Sequence, residues 1–386
     1  MRLSLTDEQS LITSSALDWL GGQYDFRQRE AGVHRDGGSP DTWAAFAEMG
    51  WLGLPIPEDA GGLGMGSLET GLLMQAFGRH LVVEPWLASV VQAGRLLALA
   101  GTPAQQSQWL PRLMAGEVRL ALAHAEPGDR LPWEGRRTTA VRSAQGWRLT
   151  GEKRHVIGAV GSASWIVSAA VDGAAWSFLV SPHAPNIRVD AYDTLAGGRA
   201  ADITFEGAAA VLLGDDHAGQ AEALLHQVLA EGIIALGWEA TGAMQAALAQ
   251  TTDYTQQRKQ FGQSLSQFQV VQHRLAEMAV HCAEAQAVCE LASMRLALSP
   301  ASGADLAALV KNKVGRSARF VAQEAVQLHG AMGVCEELPI AATFRALLAF
   351  AQQCGAAGQH ARALGAAQLG TGAFAHSQTL REALVA

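Results

Sequence analysis

The segment RKQFGQSLSQFQVVQHRLAEM, residues 258–278, interrupts one helical pattern and begins another. Apolar residues recur three and four apart through 225–236 before it and through 275–289 after it, which predicts two long helices joined by a hairpin. The hairpin carries Arg258 and Phe261, although a plain connection needs only a glycine and a cap. We therefore interpret the tip of the hairpin as a surface that meets an anionic and aromatic molecule.

Size and charge exclude several classes of protein. The chain has 386 residues, of which 49% are hydrophobic and 17% charged, so two or three domains with large cores are predicted. The net charge of −8 disfavours nucleic-acid binding, which needs clustered Lys and Arg to neutralise phosphates. Every apolar run is too short or too polar for a membrane span, so no membrane contact is expected.

The ends of the chain and its cysteines predict a cytoplasmic, reduced protein. The first residues, MRLSLTDEQS, lack an apolar signal core, and Thr6 followed by Gln9 predicts a helix N-cap. The four cysteines, Cys282, Cys289, Cys335 and Cys354, have no Cys-x-x-Cys spacing, so no metal site is predicted.

The pattern of apolar and polar residues changes twice along the chain. Residues 1–119 have helical periodicity, residues 120–216 contain short apolar or alternating runs typical of strands, and residues 217–386 return to helical patterns, with one run predicted over 341–366. The predicted fold is mainly α with a central β domain. Helices follow one another without intervening strands at the C-terminal end, so a doubly wound sheet does not fit.

Two signatures then resemble those of the acyl-CoA dehydrogenases. The segment 258–278 is similar to the family's Arg-x-x-Phe-Gly motif, and QLHGAMGVCEELPIAATFR, residues 327–345, is similar to its second motif. LTDEQ, IPEDAGGLG, AEPG and LTGEK occur in the family's order. The chain resembles in particular the small subunits of two-gene dehydrogenases of the pimeloyl-CoA type. This implies a helical N-terminal domain, a middle β-barrel or sandwich domain and a C-terminal four-helix bundle.

The resemblance also implies a cofactor and partners. The family is typically tetrameric and binds FAD between two subunits, dehydrogenates an acyl-CoA and passes electrons to an electron-transfer flavoprotein. By resemblance Arg258 pairs with the FAD pyrophosphate, Phe261 packs on the cofactor, and Gln327 and Gly330 contact its adenosine part. Ala331 stands where a second glycine is usual.

The family's catalytic carboxylate is absent from its usual position. A glutamate is expected nine residues after the arginine matching Arg345, and this chain has Cys354 there. A thiol is a poor substitute, and no nearby group that lowers its pKa is expected. The alternative base position of some members matches Gly232, beside Glu231, a weak candidate, while Glu239 is expected to be a solvated helix charge.

The segments that face the flavin in the family are altered as well. Ala125 replaces a threonine, and the usual Gly-Ser-Asp turn that follows is absent. His155 replaces a tryptophan and Ile157 a threonine, so these residues would face flavin or substrate. The pattern predicts a subunit without a catalytic residue of its own, which completes the FAD site of a partner.

Two alternatives remain open. The first is a self-sufficient homotetrameric flavoenzyme, either a dehydrogenase using Glu231 or another base, or an oxidase or monooxygenase on the same fold. The second is a flavin-free assembly or acyl-CoA-binding protein, which would not need Arg258, Phe261 and Gln327. The sequence does not select the acyl group.

Overall fold

A computed structural model describes residues 5–134, 136–144, 146–215 and 218–370. The first region is helical up to Met114. Its helices are α1 Asp7–Gln23, α2 Phe26–Val33, α3 Pro40–Glu48, α4 Ser67–His80, α5 Arg95–Ala100 and α6 Pro103–Met114, with a π-helical segment Leu87–Gly94 leading into α5.

The N-terminal helices begin where their capping residues predict. Thr6 Oγ1 accepts a hydrogen bond from the Gln9 backbone N–H at 3.2 Å, and the Gln9 side chain accepts one from the Thr6 N–H at 3.0 Å. This capping box confirms Thr6 as the N-cap. Thr102 and Gln105 form the same box at α6.

Helix α4 packs unusually closely on the long helix α7, Ala218–Gln257. A Cβ atom on Gly78 would lie 1.8 Å from the Glu239 carbonyl oxygen, and one on Gly71 would lie 2.3 Å from Trp238 Nε1. The two helices can approach this far only because these positions are glycines. Larger side chains would separate them and displace Glu239.

The middle region is a closed sheet. Its strands are β1 Leu120–Ala123, β2 Thr139–Ser143, β3 Gly146–Ile157, β4 Ser164–Val171, β5 Ala174–Val180, β6 Ile187–Asp193 and β7 Arg199–Leu212. The order β4-β2-β3-β7-β5 closes into a ring because β5 pairs with both β7 and β4, while β1 pairs with β4 and β6 with β7. The barrel interior is apolar and includes Trp165, Phe178 and Phe205.

The last region is a helical bundle. Besides α7 it contains the hairpin strands β8 Lys259–Gln260 and β9 Gln263–Ser264, then α8 Gln269–Leu298, α9 Gly303–His329, α10 Pro339–Gln352 and α11 Ala357–Gly370. The helix predicted over 341–366 is broken between α10 and α11. Cys354 and Gly355 have φ of +53° and +96° there, which no helix tolerates.

The arrangement of helices, barrel and helices confirms the predicted fold class. The domain boundaries stay a prediction; the boundary at 216/217 and residues 371–386 lie outside the described residues. Within the described ranges, every helix is too short or too polar to cross a membrane.

Candidate functional site

A cavity of about 680 Å³ lies between the barrel and the helical bundle. Helix α4 and the turn after it form one wall, α7 a second, and the C-terminal half of α10 a third. The barrel contributes the loop after β1 and the end of β3. The cavity therefore lies where all three regions of the chain meet.

All three residues predicted to face flavin or substrate line this cavity: Ala125, His155 and Ile157. His155 lies at a register shift between β3 and β7 and has a φ of +53°. Its Nδ1 lies 3.2 Å from the Tyr192 hydroxyl, and its ring stacks on Tyr192. Desolvation lowers the pKa of His155, and the charge of Asp202 opposes this in part.

A buried ion pair holds the loop that carries Ala125. Lys153 Nζ lies 2.7 Å from Glu126 Oε1 and also donates to the His124 carbonyl at 3.0 Å and the Ser168 hydroxyl at 3.1 Å. Burial alone would raise the pKa of Glu126. The charge of Lys153 and the hydrogen bonds that Glu126 accepts outweigh this effect and lower the pKa of Glu126 to about 2. The pair joins the loop after β1 to β3 and β4.

Cys354, at the usual base position, sits in the break between α10 and α11 and lines the cavity. Burial raises the pKa of its thiol, and the charge of Lys311 opposes this only in part. This corrects the expectation that no nearby group lowers the thiol pKa. Lys311 is fully buried, donates to the Phe350 carbonyl and lies 4.1 Å from the centroid of the Phe350 ring.

The loop after β1 covers the backbone next to Cys354. A Cβ atom on Gly355 would lie 2.7 Å from the Arg130 carbonyl and 3.1 Å from Leu131 Cδ2. Trp133 packs with Cys354 against the small cluster of Ala230, Ile233 and Ala307. The segment that would face flavin in the family here contacts the segment that would carry the base.

Glu231 is engaged in an ion pair. Its two oxygens accept from Arg95 Nε at 2.5 Å and Nη2 at 3.2 Å, and Gln227 donates a further hydrogen bond at 3.0 Å. Glu231 does not line the cavity. Gly232 faces Gln92, since a Cβ there would lie 2.8 Å from Gln92 Nε2. Neither base position predicted by resemblance therefore presents a carboxylate to the cavity.

Glu239 corrects another expectation, because it is not a solvated surface charge. It lines the cavity from α7 and is half-buried. Burial raises the pKa of its carboxyl to about 7. Helical spacing could have predicted its position, since seven residues place it on the same face as Gly232; nothing in the sequence gave its burial.

The residues predicted to bind cofactor lie outside the cavity, on the surface of the bundle. Arg258 and Phe261 are at the hairpin, where Phe261 is 91% exposed, and the other three lie in the last turn of α9 or directly after it. The ring of Tyr254, one turn before Arg258, stacks on His329 at 4.4 Å. This stack brings the two signatures to the same end of the bundle. The residues at the end of α9 are Gln327, Gly330 and Ala331, all exposed.

The side chain of Arg258 has no hydrogen bond or ion pair to any residue that the structure describes. A Cβ atom on Gly330 would meet nothing within 4 Å. Among the same residues, no cluster of three or more His, Cys, Asp or Glu could hold a metal ion.

Comparison with known proteins assigns the family. The acyl-CoA dehydrogenase N-terminal domain model matches residues 6–117, and the C-terminal domain model matches residues 223–369. Acyl-CoA dehydrogenase FadE28 of Mycobacterium tuberculosis is 33% identical over 300 residues, which cover 78% of this chain and 84% of that protein. The chain belongs to the acyl-CoA dehydrogenase family. The resemblance drawn from the two signatures is confirmed.

Other relatives in the family differ in activity and assembly. The acryloyl-CoA reductase (NADH) of Anaerotignum propionicum is 27% identical over 361 residues, 89% of this chain and 90% of that protein. The solved structure of a steroid dehydrogenase variant, Tcur3481-Tcur3483, matches 95% of this chain and 99% of its own with 27% identity and a TM-score of 0.86. The ChsE4-ChsE5 complex of Mycobacterium tuberculosis, at 24% identity and a TM-score of 0.86, shows the fold alone; the match covers 96% of this chain and 99% of that chain.

Proposed function

We propose that this chain is the non-catalytic subunit of a heteromeric acyl-CoA dehydrogenase and completes the FAD site of a catalytic partner. The observation that carries the proposal is the lack of a carboxylate at both base positions. The usual position holds Cys354, whose pKa is raised by burial, and the alternative holds Gly232. Removal of the proton next to a thioester needs a base that is deprotonated near neutral pH.

The carboxylates that do line the cavity are unsuited to that role. Glu84, Glu126 and Asp129 are engaged: Glu84 accepts from the Tyr24 hydroxyl at 2.9 Å, Glu126 pairs with Lys153, and Asp129 pairs with Arg137. Glu239 has no hydrogen bond or ion pair to any described residue, but it lies six residues beyond Ile233, the residue that packs with Cys354. Six residues correspond to about 9 Å along the helix.

The outward surface fits the part of FAD that a neighbouring subunit contacts. The exposed guanidinium of Arg258 would pair with the pyrophosphate, because its planar fork gives two charge-assisted hydrogen bonds to phosphate oxygens. Gln327 and Gly330 would contact the adenosine part, and Ala331 leaves that surface open. When bound, FAD supplies the redox chemistry of α,β-dehydrogenation.

The hairpin turn itself supports this role. Phe261 and Gly262 occupy the centre of a two-residue turn with φ of +53° and +83°. Asn-Gly suits such a turn, whereas a phenylalanine in the left-handed region is strained by about 1–3 kcal/mol. The fold thus maintains an exposed aromatic ring at a strained position, which is expected where the ring packs on a ligand or a neighbouring subunit.

We further propose that the partner is an acyl-CoA dehydrogenase subunit with an intact glutamate, and that an electron-transfer flavoprotein accepts the electrons. The related steroid dehydrogenase, which is named for two components, supports a heteromeric assembly.

Expression of the chain alone and together with a family member that has the glutamate tests the proposal. We expect a colourless chain alone, and a hetero-oligomer that contains FAD and bleaches with an acyl-CoA under anaerobic conditions. One FAD per chain, with substrate turnover by the isolated chain, would refute the proposal.

A further inference from the structure

Glu239 is the one ionisable residue that α4 and α7, both described in full as helices, contribute to the lining of the cavity. The other lining residues of α4 are Met74, Phe77 and Gly78, and those of α7 are Leu229, Leu236, Ala240 and Ala243. The carboxyl group therefore projects into an otherwise apolar part of the cavity.

The carboxyl has no partner among the residues that the structure describes. It makes no hydrogen bond or ion pair with any residue in 5–134, 136–144, 146–215 or 218–370. Burial alone raises its pKa, with no contribution from a charge in the described part of the chain. An enclosed carboxyl without a partner is costly, and a hydrocarbon pocket would be better served by Leu or Ala at this position.

The position of Glu239 matches the far part of an acyl group. Cys354 packs with Ala230 and Ile233 near the start of the cavity wall formed by α7, whereas Ala243 is the last residue of α7 that lines it. Glu239 lies between them, about 9 Å along the helix from Ile233. Its backbone is fixed by the close contact with Gly78.

We propose that Glu239 recognises an acyl thioester whose acyl group carries a hydrogen-bond donor, a hydroxyl or an ammonium group, remote from the thioester. This inference rests on the proposed function, because it takes the chain to be part of an acyl-CoA dehydrogenase, and it adds that the chain's own cavity holds an acyl group. A plain hydrocarbon chain leaves the carboxyl unpaired, and a carboxylate-terminated chain places a second acidic group beside it, so that either two like charges share the cavity or one group has to take up a proton. Both are therefore disfavoured ligands.

Binding of matched CoA thioesters tests this. The probes are a straight-chain acyl-CoA and its ω-hydroxy, ω-amino and ω-carboxy analogues, compared at several chain lengths by calorimetry on the full chain and on its complex. For the wild type we expect the best hydroxy or amino analogue to bind about tenfold more tightly than the plain chain, and the carboxy analogue to bind most weakly.

Two variants assign the effect to the carboxyl. Glu239→Leu should reverse the order, so that the plain chain binds best, whereas Glu239→Gln should keep the hydroxy preference and lose the amino preference. Glu277→Gln, an exposed position on α8, is the control for loss of one charge and should change nothing.

The outcomes separate the two proposals. Three results overturn this inference. The affinity ratios between the probes could be the same in the wild type and in Glu239→Leu, the wild type could prefer the plain chain, or it could bind none of the probes. FAD content is measured in the same samples. Stoichiometric FAD with turnover in the isolated chain overturns the proposed function and leaves the binding ratios as they are.

Discussion

Replacing Glu126 with glutamine should loosen the barrel at the loop that faces the cavity. The carboxylate accepts hydrogen bonds from Lys153 Nζ at 2.7 Å, the Arg137 N–H at 2.5 Å and the Thr138 N–H at 3.0 Å. Glutamine offers one acceptor oxygen and turns an NH₂ group toward donors. It also removes the hydrogen-bonded counter-charge of Lys153, which is fully buried.

The magnitude follows from the burial of both partners. Removing one partner of a buried ion pair destabilises a protein by about 3–5 kcal/mol, because the remaining charge stays desolvated. Every 1.4 kcal/mol corresponds to a factor of about ten, so the amide protection factors of β3 and β4 should fall by about two to four powers of ten.

Native-state hydrogen exchange with mass spectrometry measures this effect locally, which is needed because a chain of several domains does not unfold in one step. Glu152→Gln, on β3 next to Lys153, is the matched control: its pair with Arg154 is exposed and should contribute little. The double variant Glu126→Gln/Lys153→Met should lose less protection than the two single variants combined. A change below tenfold in Glu126→Gln, or equal changes in Glu126→Gln and Glu152→Gln, would refute the reasoning.

Arg258→Ala should lower the FAD content of the hetero-oligomer by tenfold or more at limiting FAD, since a charge-assisted contact is worth about 1.5–3 kcal/mol. Lys259→Ala, on the same hairpin, is the control and should leave the FAD content unchanged. Equal loss of FAD in both variants would contradict the assignment of Arg258 to the pyrophosphate. Cys354→Glu should leave the isolated chain without dehydrogenase activity, because the altered flavin-facing residues remain; turnover measured by dye reduction would favour a self-sufficient enzyme. Glu239→Gln should stabilise the chain above pH 7 and have little effect below pH 4.5. The folded pKa of Glu239, about 7, exceeds the ordinary value of 4.5, so wild-type stability is lost as pH rises through 7. Above pH 7 the free energy of unfolding of the variant should exceed that of the wild type by up to roughly 3 kcal/mol. Hydrogen exchange in α4 and α7, measured above pH 7 and below pH 4.5, checks this.

Much of the fold could be predicted from local patterns. The capping box at Thr6 and Gln9, the strand texture after residue 120 and the hairpin at Phe261 and Gly262 all depend on residues near one another in sequence. The break at Cys354 was missed because 341–366 keeps helical periodicity on both sides of it. Only the Cys-Gly pair, with a glycine that can take positive φ, indicated an end.

The candidate site was harder to predict because its electrostatics depend on long-range packing. Glu231 and Glu239 lie on one helix two turns apart, and periodicity cannot show that the first meets Arg95 while the second meets no partner in the described chain. Lys311 likewise approaches Cys354 from another helix. The surroundings of each charged residue on a helix depend on what packs against its face, and a single sequence does not reveal this.

The two surfaces of this chain support different roles. The outward group of Arg258 and Phe261 needs a neighbouring subunit or cofactor to cover it, whereas the cavity is lined by residues from all three regions of this chain. A subunit that only completed a partner's FAD site would gain stability by filling about 680 Å³ of space with side chains, since atoms lining a void lose packing contacts. The chain instead keeps the space open and places an unpaired carboxyl in it. A cavity with those properties is expected to bind a ligand even where the chemistry takes place in the partner.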